Sequence, residues 1–272
     1  MSVDVPGDSV SKVPRTALVT GGAGAIGFAI AEALGKDRRV AILDIGEGVE
    51  ERAAALPDGI GLSCDLADGD ALNAAYRKAA DAIGPFGVVV HAAAIASVVP
   101  FLDTDRALFD ASLNVNLTSG FDVFRLAAQD LVEAGLAGRL IGIASISGAR
   151  AGFGRTAYGV SKAGLIHLVN QIALELGPYG ITANIVAPGP VDTPMSREAH
   201  TAEQRADYQR TIPMGRYGEA SEVTGAVAYL AGDEAAYVSG QTLFVDGGYM
   251  ASGMGVSIAQ SAAQIRGGGT KG

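Results

Sequence analysis

Tyr158 and Lys162 are the residues from which a chemical interpretation of this sequence starts. They stand four positions apart in TAYGVSKAG, residues 156–164, a stretch with no other charged residue. If the stretch is helical, positions i and i+4 lie on one face, so a phenol and an ammonium would project side by side. An ammonium near a phenol favours the phenolate. Such a pair also arises by chance, so its meaning depends on whether the rest of the chain supplies a site.

A glycine-rich turn is the second candidate. ALVTGGAGAIG, residues 17–27, runs from an apolar strand pattern into a helix pattern. Backbone N–H groups in such a turn can approach a diphosphate, and the helix N-terminus adds a favourable dipole. The same sequence is also compatible with a plain tight turn. The residues expected to contact a dinucleotide here are Gly21, Gly24, Ala25, Ile26 and Gly27.

Asp44 ends the next strand pattern, VAILD. A carboxylate at this place can accept hydrogen bonds from the ribose hydroxyls of adenosine and would repel a 2′-phosphate. Asp44 could equally be an ordinary strand-end or helix-capping residue. Neither Arg nor Lys occurs in the glycine turn or directly after Asp44, so the sequence favours NAD(H) over NADP(H).

The secondary structure must bring these residues together. Along the chain, short apolar runs alternate with Ala-rich stretches. Near-continuous apolar strands separated by helices predict a parallel sheet covered on both faces, an α/β Rossmann-like doubly wound fold of seven strands. The predicted strands are Ala17–Thr20, Val40–Leu43, Gly61–Cys64, Val88–His91, Leu140–Ala144, Ala183–Val186 and Thr242–Val245. The predicted helices are Ile26–Gly35, Gly48–Leu56, Asp70–Ile83, Ser112–Ala134, Ala157–Leu176 and Ser221–Leu230.

No repeat or linker divides this pattern, so one domain is expected. Residues 1–14 are predicted to be a flexible arm, 15–250 the dinucleotide-binding and catalytic domain, and 251–272 a glycine-rich extension. The polar segment 190–214 is predicted to be a substrate lid.

Composition restricts the possible partners. The net charge is −9, which argues against nucleic acid or an anionic membrane. Cys64 is the single cysteine, so no intrachain disulfide can form, and a reducing compartment is expected. The start MSVDVPGDSV does not have the pattern of a signal peptide, and we expect a cytoplasmic protein with no metal site.

The chain resembles the short-chain dehydrogenase/reductase family over roughly residues 14–250. The resemblance rests on motifs in family order and spacing: TGGAGAIG (20–27), CDL (64–66), HAAA (91–94), NVNLTSG (114–120), Ser145, YGVSK (158–162), NIVAPGPVDT (184–193) and GQTLFVDGG (240–248). Two motifs depart from the usual pattern. Ala25 replaces the middle glycine of the turn, and HAAA replaces NNAG. His91 could carry protons, or it could be a buried structural group.

The resemblance implies roles for the catalytic residues. Tyr158 would be the acid/base, Lys162 its electrostatic partner, Ser145 the donor to the substrate oxygen and Asn116 the organiser of a proton-relay water. Ser147 is an alternative to Ser145, and Asn114 an alternative to Asn116. Further cofactor contacts are implied for Asp65, Leu66, Ala92, Ala93, Pro188, Gly189, Val191 and Thr193, beside Tyr158 and Lys162.

A free phenol has a pKa near 10, too high for an efficient base at neutral pH. An ammonium about 4 Å away would favour phenolate by about 4 kcal/mol at an effective dielectric of about 20. Desolvation opposes this effect, so we expect a smaller net lowering of the Tyr158 pKa.

The expected function is NAD(H)-dependent interconversion of a secondary alcohol, such as a polyol or sugar, and its ketone. A 3-ketoacyl-type carbonyl reductase and a non-catalytic NAD-binding scaffold are the alternatives. A homotetramer is expected, because the family commonly pairs the helices corresponding to 112–134 and 157–176. The substrate is expected to lie among Val98, Val99, Phe153, Met195, Arg197, His200 and Tyr208. An apolar lining would suit a secondary alcohol, whereas Arg155, Arg197 or His200 could bind a hydroxylated or anionic group. Those charged side chains could equally belong to helix surfaces that face solvent.

Overall fold

The computed structural model of the 272-residue chain describes residues 12–46 and 48–252. The expected N-terminal arm therefore lies almost wholly outside the described residues. The expected extension 251–272 does so too, apart from its first two residues.

Seven parallel strands form one sheet. They are β1 Thr16–Thr20, β2 Arg39–Asp44, β3 Ile60–Ser63, β4 Val88–His91, β5 Gly138–Ile143, β6 Ile181–Pro188 and β7 Thr242–Val245. Their order across the sheet is β3-β2-β1-β4-β5-β6-β7. The chain changes direction across the sheet between β1 and β4, which is where open α/β sheets form a ligand crevice. The predicted fold class and all seven predicted strands are confirmed.

Helices cover both faces of the sheet. They are α1 Ala25–Leu34, α2 Val49–Ala53, α3 Gly69–Ile83, α4 Arg106–Leu113, α5 Ser119–Glu133, α6 Thr156–Leu176, α7 Pro194–Ala199, α8 Ala202–Thr211 and α9 Ala220–Ala231. Among the described residues, no helix is both long and apolar enough to cross a bilayer.

Alternation along the strands explains the two-sided packing, because successive side chains point to opposite faces. Leu18 and Val89 belong to one core cluster, with residues of α3, α5 and α6. Their neighbours Val19 and Val90 belong to the other, with residues of α1, α2 and α9. Both faces are therefore buried, as the apolar strands predicted.

The predicted helix Ser112–Ala134 is wrong as a single element. The structure has α4 and α5 joined by a π-helical turn, Asn114–Thr118. The apolar pattern does not reveal this turn, because one wider turn hardly changes the periodicity. It matters for the site, because Asn116 lies within it.

Candidate active site

A cavity of about 790 Å³ opens at the carboxyl ends of the central strands. All the predicted catalytic and cofactor-binding residues line it except Asn116. Tyr158 and Lys162 both lie in α6, so the helix that their four-residue spacing needs is present.

The glycine-rich turn after β1 is built by close backbone contacts. Gly21 has φ +67°, and a Cβ there would lie 2.6 Å from the Cα of Ala93. Gly27 also cannot carry a side chain, because a Cβ would lie 2.1 Å from the Gly21 carbonyl oxygen. Gly24 is the N-cap of α1 and supplies no side-chain acceptor to the first turn. The uncapped end of α1 thus faces the cavity, and Ala25 is exposed there with room for its methyl group.

Asp44 connects β2 to the glycine turn. Its carboxylate accepts hydrogen bonds from the backbone N–H of Ala23 at 2.9 Å and of Ile45 at 2.8 Å. The carboxylate also lines the cavity, together with Asp65 and Leu66. A diphosphate joined to a ribose would fit this end of the cavity. The cavity offers uncapped N–H donors, glycines without room for a side chain and a carboxylate one strand away.

Arg52 is a cation that the sequence analysis missed at this end of the cavity. It belongs to α2, lines the cavity, and lies with its guanidinium carbon 4.6 Å from the ring centre of Phe28. Arg52 is not adjacent to Asp44 in the sequence, and only the path of α2 brings it back toward the end of β2.

The four predicted catalytic residues come together around the start of α6. Ser145 follows β5, and its Oγ accepts a hydrogen bond from the N–H of Ser147 at 3.1 Å. Lys162 is 1% exposed, and its Nζ donates to the carbonyl of Ile143 at 2.8 Å. That Nζ lies 5.9 Å from the ring centre of Tyr158.

The expected net lowering of the Tyr158 pKa is wrong for this structure. Burial raises the pKa of the Tyr158 phenol, while the Ser145 hydrogen bond and the charge of Arg155 act in the opposite direction. Lys162 contributes less than expected, because burial lowers its own pKa to about 7. An ammonium that is itself desolvated carries less charge at neutral pH than the exposed cation assumed from the sequence.

Asn116 lies behind the cavity wall, 0% exposed. Its Oδ1 accepts from the N–H of Ile95 at 2.8 Å, and its Nδ2 donates to the Ile95 carbonyl at 3.0 Å and to Ser161 Oγ at 2.9 Å. The amide thereby ties the segment after β4 to α6. The alternative Asn114 is exposed and lies outside the cavity lining.

His91 is fully buried, and both ring nitrogens have partners. Nδ1 lies 2.8 Å from Thr20 Oγ1, and Nε2 lies 3.3 Å from the Asn116 carbonyl. Burial and the charge of Lys162 lower the His91 pKa to about 3. The imidazole is therefore neutral at physiological pH, and the geometry matches the structural interpretation rather than a proton carrier.

The segment after β6 forms the opposite wall. Gly189 passes so close to Asp246 that a Cβ would lie 2.8 Å from its Cα. Val191 forms a parallel bridge with Gly218, and the Thr193 hydroxyl caps α7 by accepting from the N–H of Ser196. In this cap Thr193 Oγ1 accepts a hydrogen bond, so the Thr193 O–H can still donate one.

The predicted substrate region is only partly assembled at the cavity. Four of its residues line the cavity: Arg155, Met195, His200 and Tyr208. Four others do not, namely Val98, Val99, Phe153 and Arg197. Arg197 instead pairs with Asp192, and Phe153 is 84% exposed.

Two further contacts were missed. Ser161 bonds to Asn116, and the Tyr217 hydroxyl lies 3.0 Å from Nδ1 of His200. Ser161 stands beside Lys162 in the YGVSK motif, so its position was the available signal. Nothing in the sequence connects Tyr217 with His200, because the pairing depends on how residues 190–214 fold.

Comparisons with known proteins show which family this chain is similar to. A family described as "Enoyl-(Acyl carrier protein) reductase" matches residues 21–250. The 3-oxoacyl-[acyl-carrier-protein] reductase MabA of Mycobacterium avium is 39% identical over 87% of this chain and 90% of its own. The L-rhamnose 1-dehydrogenase (NAD(P)(+)) of Azotobacter vinelandii is 33% identical over 87% and 96%. The crystal structure of the TT0495 protein from Thermus thermophilus has a TM-score of 0.82 and 36% identity, covering 88% of this chain and 99% of that one.

The family match spans most of the chain, and both curated relatives exceed 30% identity over most of their own length. The chain belongs to the short-chain dehydrogenase/reductase family of oxidoreductases.

Proposed function

We propose that this protein is an NAD(H)-dependent oxidoreductase that interconverts a secondary alcohol, such as a polyol, sugar or similar hydroxy compound, and its ketone. The observation that carries the proposal is the placement of Tyr158, Lys162 and Ser145 on one wall of a cavity whose other end holds the glycine turn and Asp44. A nicotinamide cofactor held by the glycine turn and Asp44 would supply the hydride chemistry.

The chain's own residues handle the proton and the substrate oxygen. Tyr158 exchanges a proton with the substrate hydroxyl, and Ser145 donates a hydrogen bond to the oxygen as charge develops on it. Lys162 favours the phenolate and can bind ribose hydroxyls. Asn116 holds the segment after β4 in place, and we propose that its amide also orients the proton-relay water.

Replacement of Tyr158 by Phe tests the acid/base role. We expect kcat to fall at least about 100-fold, because a positioned proton donor contributes that much to catalysis. Binding of NADH, followed by its fluorescence, should be retained. Ser145→Ala should lower kcat more than Ser147→Ala, which serves as the matched control. Near-normal turnover by Tyr158→Phe would contradict the proposed chemistry.

The choice of NAD over NADP rests on Asp44 and is opposed by Arg52. A carboxylate repels a 2′-phosphate, whereas a guanidinium at the same end of the cavity could bind one. Asp44→Ala should lower the NAD/NADP ratio of kcat/KM by about 10–100-fold, the value of a charge-assisted contact. Arg52→Ala should raise that ratio. An unchanged ratio in Asp44→Ala would refute the assignment, and absorbance at 340 nm measures it.

A 3-ketoacyl-type carbonyl reductase is the second candidate, supported by the name of the M. avium relative. Faster turnover of ketoacyl thioesters with NADPH than of alcohols with NAD+ would favour it. A non-catalytic NAD-binding scaffold is the third candidate, and turnover of any alcohol would exclude it.

We also propose that residues 15–250 act as one catalytic unit, with 190–214 as a lid over the substrate. A cytoplasmic location agrees with the composition, and fractionation of cells expressing the protein would test it.

A further inference from the structure

Arg155 lies at the substrate end of the cavity without an acidic partner among the described residues. It is half-buried at the start of α6. One guanidinium nitrogen donates to the Ser97 carbonyl at 3.4 Å, and another lies 2.8 Å from Nε2 of His200. A guanidinium has five donors, so these contacts leave most of them for a ligand.

His200 cannot neutralise this charge. Arginine only donates, so Nε2 of His200 must be the acceptor, and the proton of the neutral imidazole is then on Nδ1 beside the Tyr217 hydroxyl. Burial lowers the His200 pKa, and the charges of Arg155 and Arg205 lower it further. His200 therefore holds Arg155 in place as a neutral group.

The lid carboxylate Asp192 is already occupied. It accepts from Arg197 at 3.0 Å and from Arg205 at 2.9 Å. Even so, Nη1 of Arg205 is buried without a hydrogen-bond partner among the described residues. Asp192 is therefore engaged by two other arginines and does not pair with Arg155.

The unpaired guanidinium of Arg155 is close to the reacting group. Its carbon lies 5.6 Å from the ring centre of Tyr158, and both side chains line the same cavity. A ligand oxygen at the Tyr158 hydroxyl would therefore need only a short carbon chain to bring an anionic group to Arg155. A carboxylate suits the fork of a guanidinium, because it can accept two parallel hydrogen bonds.

We propose that the substrate is a small hydroxy acid, or the corresponding oxo acid, whose carboxylate binds Arg155 beside His200 while its hydroxyl or carbonyl oxygen meets Tyr158. This inference rests on the proposed oxidoreductase function and adds the substrate class. The carboxylate takes no part in bond making or breaking; it orients the carbinol carbon.

Matched acid and neutral compounds test the proposal. We would measure kcat/KM for 3-hydroxybutanoate against its methyl ester, and for gluconate against glucitol, at 340 nm with NAD+ and NADP+. The wild type should prefer at least one acid by about 10-fold or more. Arg155→Leu should lower the acid-to-neutral ratio by about 10–100-fold, mainly through KM. Arg155→Lys should retain part of the ratio.

Arg150→Leu is the matched control. Arg150 is exposed on the same segment but lies outside the cavity lining, so the ratio should stay at the wild-type value. A wild type without preference for either acid, or an equal loss for acids and neutral compounds in Arg155→Leu, would overturn the inference.

Thermal shift in the presence of NADH separates this inference from the proposed function. Acetoacetate should stabilise the wild type more than methyl acetoacetate, and Arg155→Leu should lose the difference. If that difference appears while no compound is turned over, the oxidoreductase proposal fails and the carboxylate site stands. If compounds are turned over without any difference between acid and ester, only the carboxylate site is refuted.

Discussion

Burial and nearby charge act in opposite directions on the pKa of the Tyr158 phenol. The sequence places a lysine one helical turn from the phenol, and that spacing is present in α6. The structure adds that the lysine is almost fully buried and that its pKa falls to about 7. The nearby charge that lowers the pKa of the Tyr158 phenol is that of Arg155, although burial raises that pKa. The sequence shows the spacing of Tyr158 and Lys162, but it does not show how deeply they are buried, and burial sets their pKa values.

His91 gives a prediction that concerns pH. Its folded pKa is about 3, whereas an unfolded histidine titrates near 6.5. Below pH 6.5 only the unfolded chain takes up this proton, so the stability contributed by neutral His91 is present above pH 6.5 and is lost as pH falls toward 3. At pH 5 the loss should be about 2 kcal/mol, from about 1.4 kcal/mol per pH unit.

The measurement is urea unfolding of the wild type and His91→Asn between pH 7.5 and pH 5. We expect the free energy of unfolding of the wild type to fall more steeply than that of the variant. His167→Asn, on the exposed face of α6, is the matched control and should follow the wild type. Parallel curves for the wild type and His91→Asn would contradict the buried, neutral assignment.

At the scale of elements, residues 190–214 contain helix signals that were not used. No helix was predicted in this polar segment, yet α7 and α8 occupy most of it. Both begin with a capping box, Thr193 with Ser196 and Thr201 with Gln204. The Thr-x-x-Gln spacing at Thr201 is a known start signal, but neither helix carries the apolar stripe by which the other helices were predicted.

Asp192 ties these two helices to the segment after β6, because it bonds to Arg197 of α7 and Arg205 of α8. Asp192→Asn should loosen the lid and displace His200 from Arg155. We expect faster hydrogen exchange across 194–211 and a several-fold rise in substrate KM, with NADH binding retained. High salt should reduce the difference from the wild type, because exposed ion pairs are screened.

Asp207→Asn is the control for this variant. Asp207 pairs with Arg210 inside α8, so its loss should leave exchange in α7 unchanged. If both aspartate variants behave alike, Asp192 does not hold the lid.

At the scale of the whole molecule, the parallel sheet and its two-sided core follow from the apolar runs, since strands that are apolar on both faces must be covered by helices on both sides. The cavity lining was also predictable, because turns after parallel strands meet at one sheet edge. What the sequence could not give were the pairs made across that edge, such as Arg155 with His200 and Asn116 with Ser161. Each joins segments far apart in the chain.

The surfaces of α5 and α6 lead to the last prediction, the homotetramer. Phe121 on α5 and Val160 and Leu174 on α6 are 45%, 48% and 76% exposed in the single chain. Burying them against a second copy would remove apolar area from water, at about 25 cal/mol per Å². Light scattering at micromolar concentration should give about four times the chain mass of 27.5 kDa. Phe121→Glu combined with Val160→Glu should lower the mass, while Leu102→Glu, an exposed leucine outside both helices, should not. A monomer for the wild type would refute the assembly.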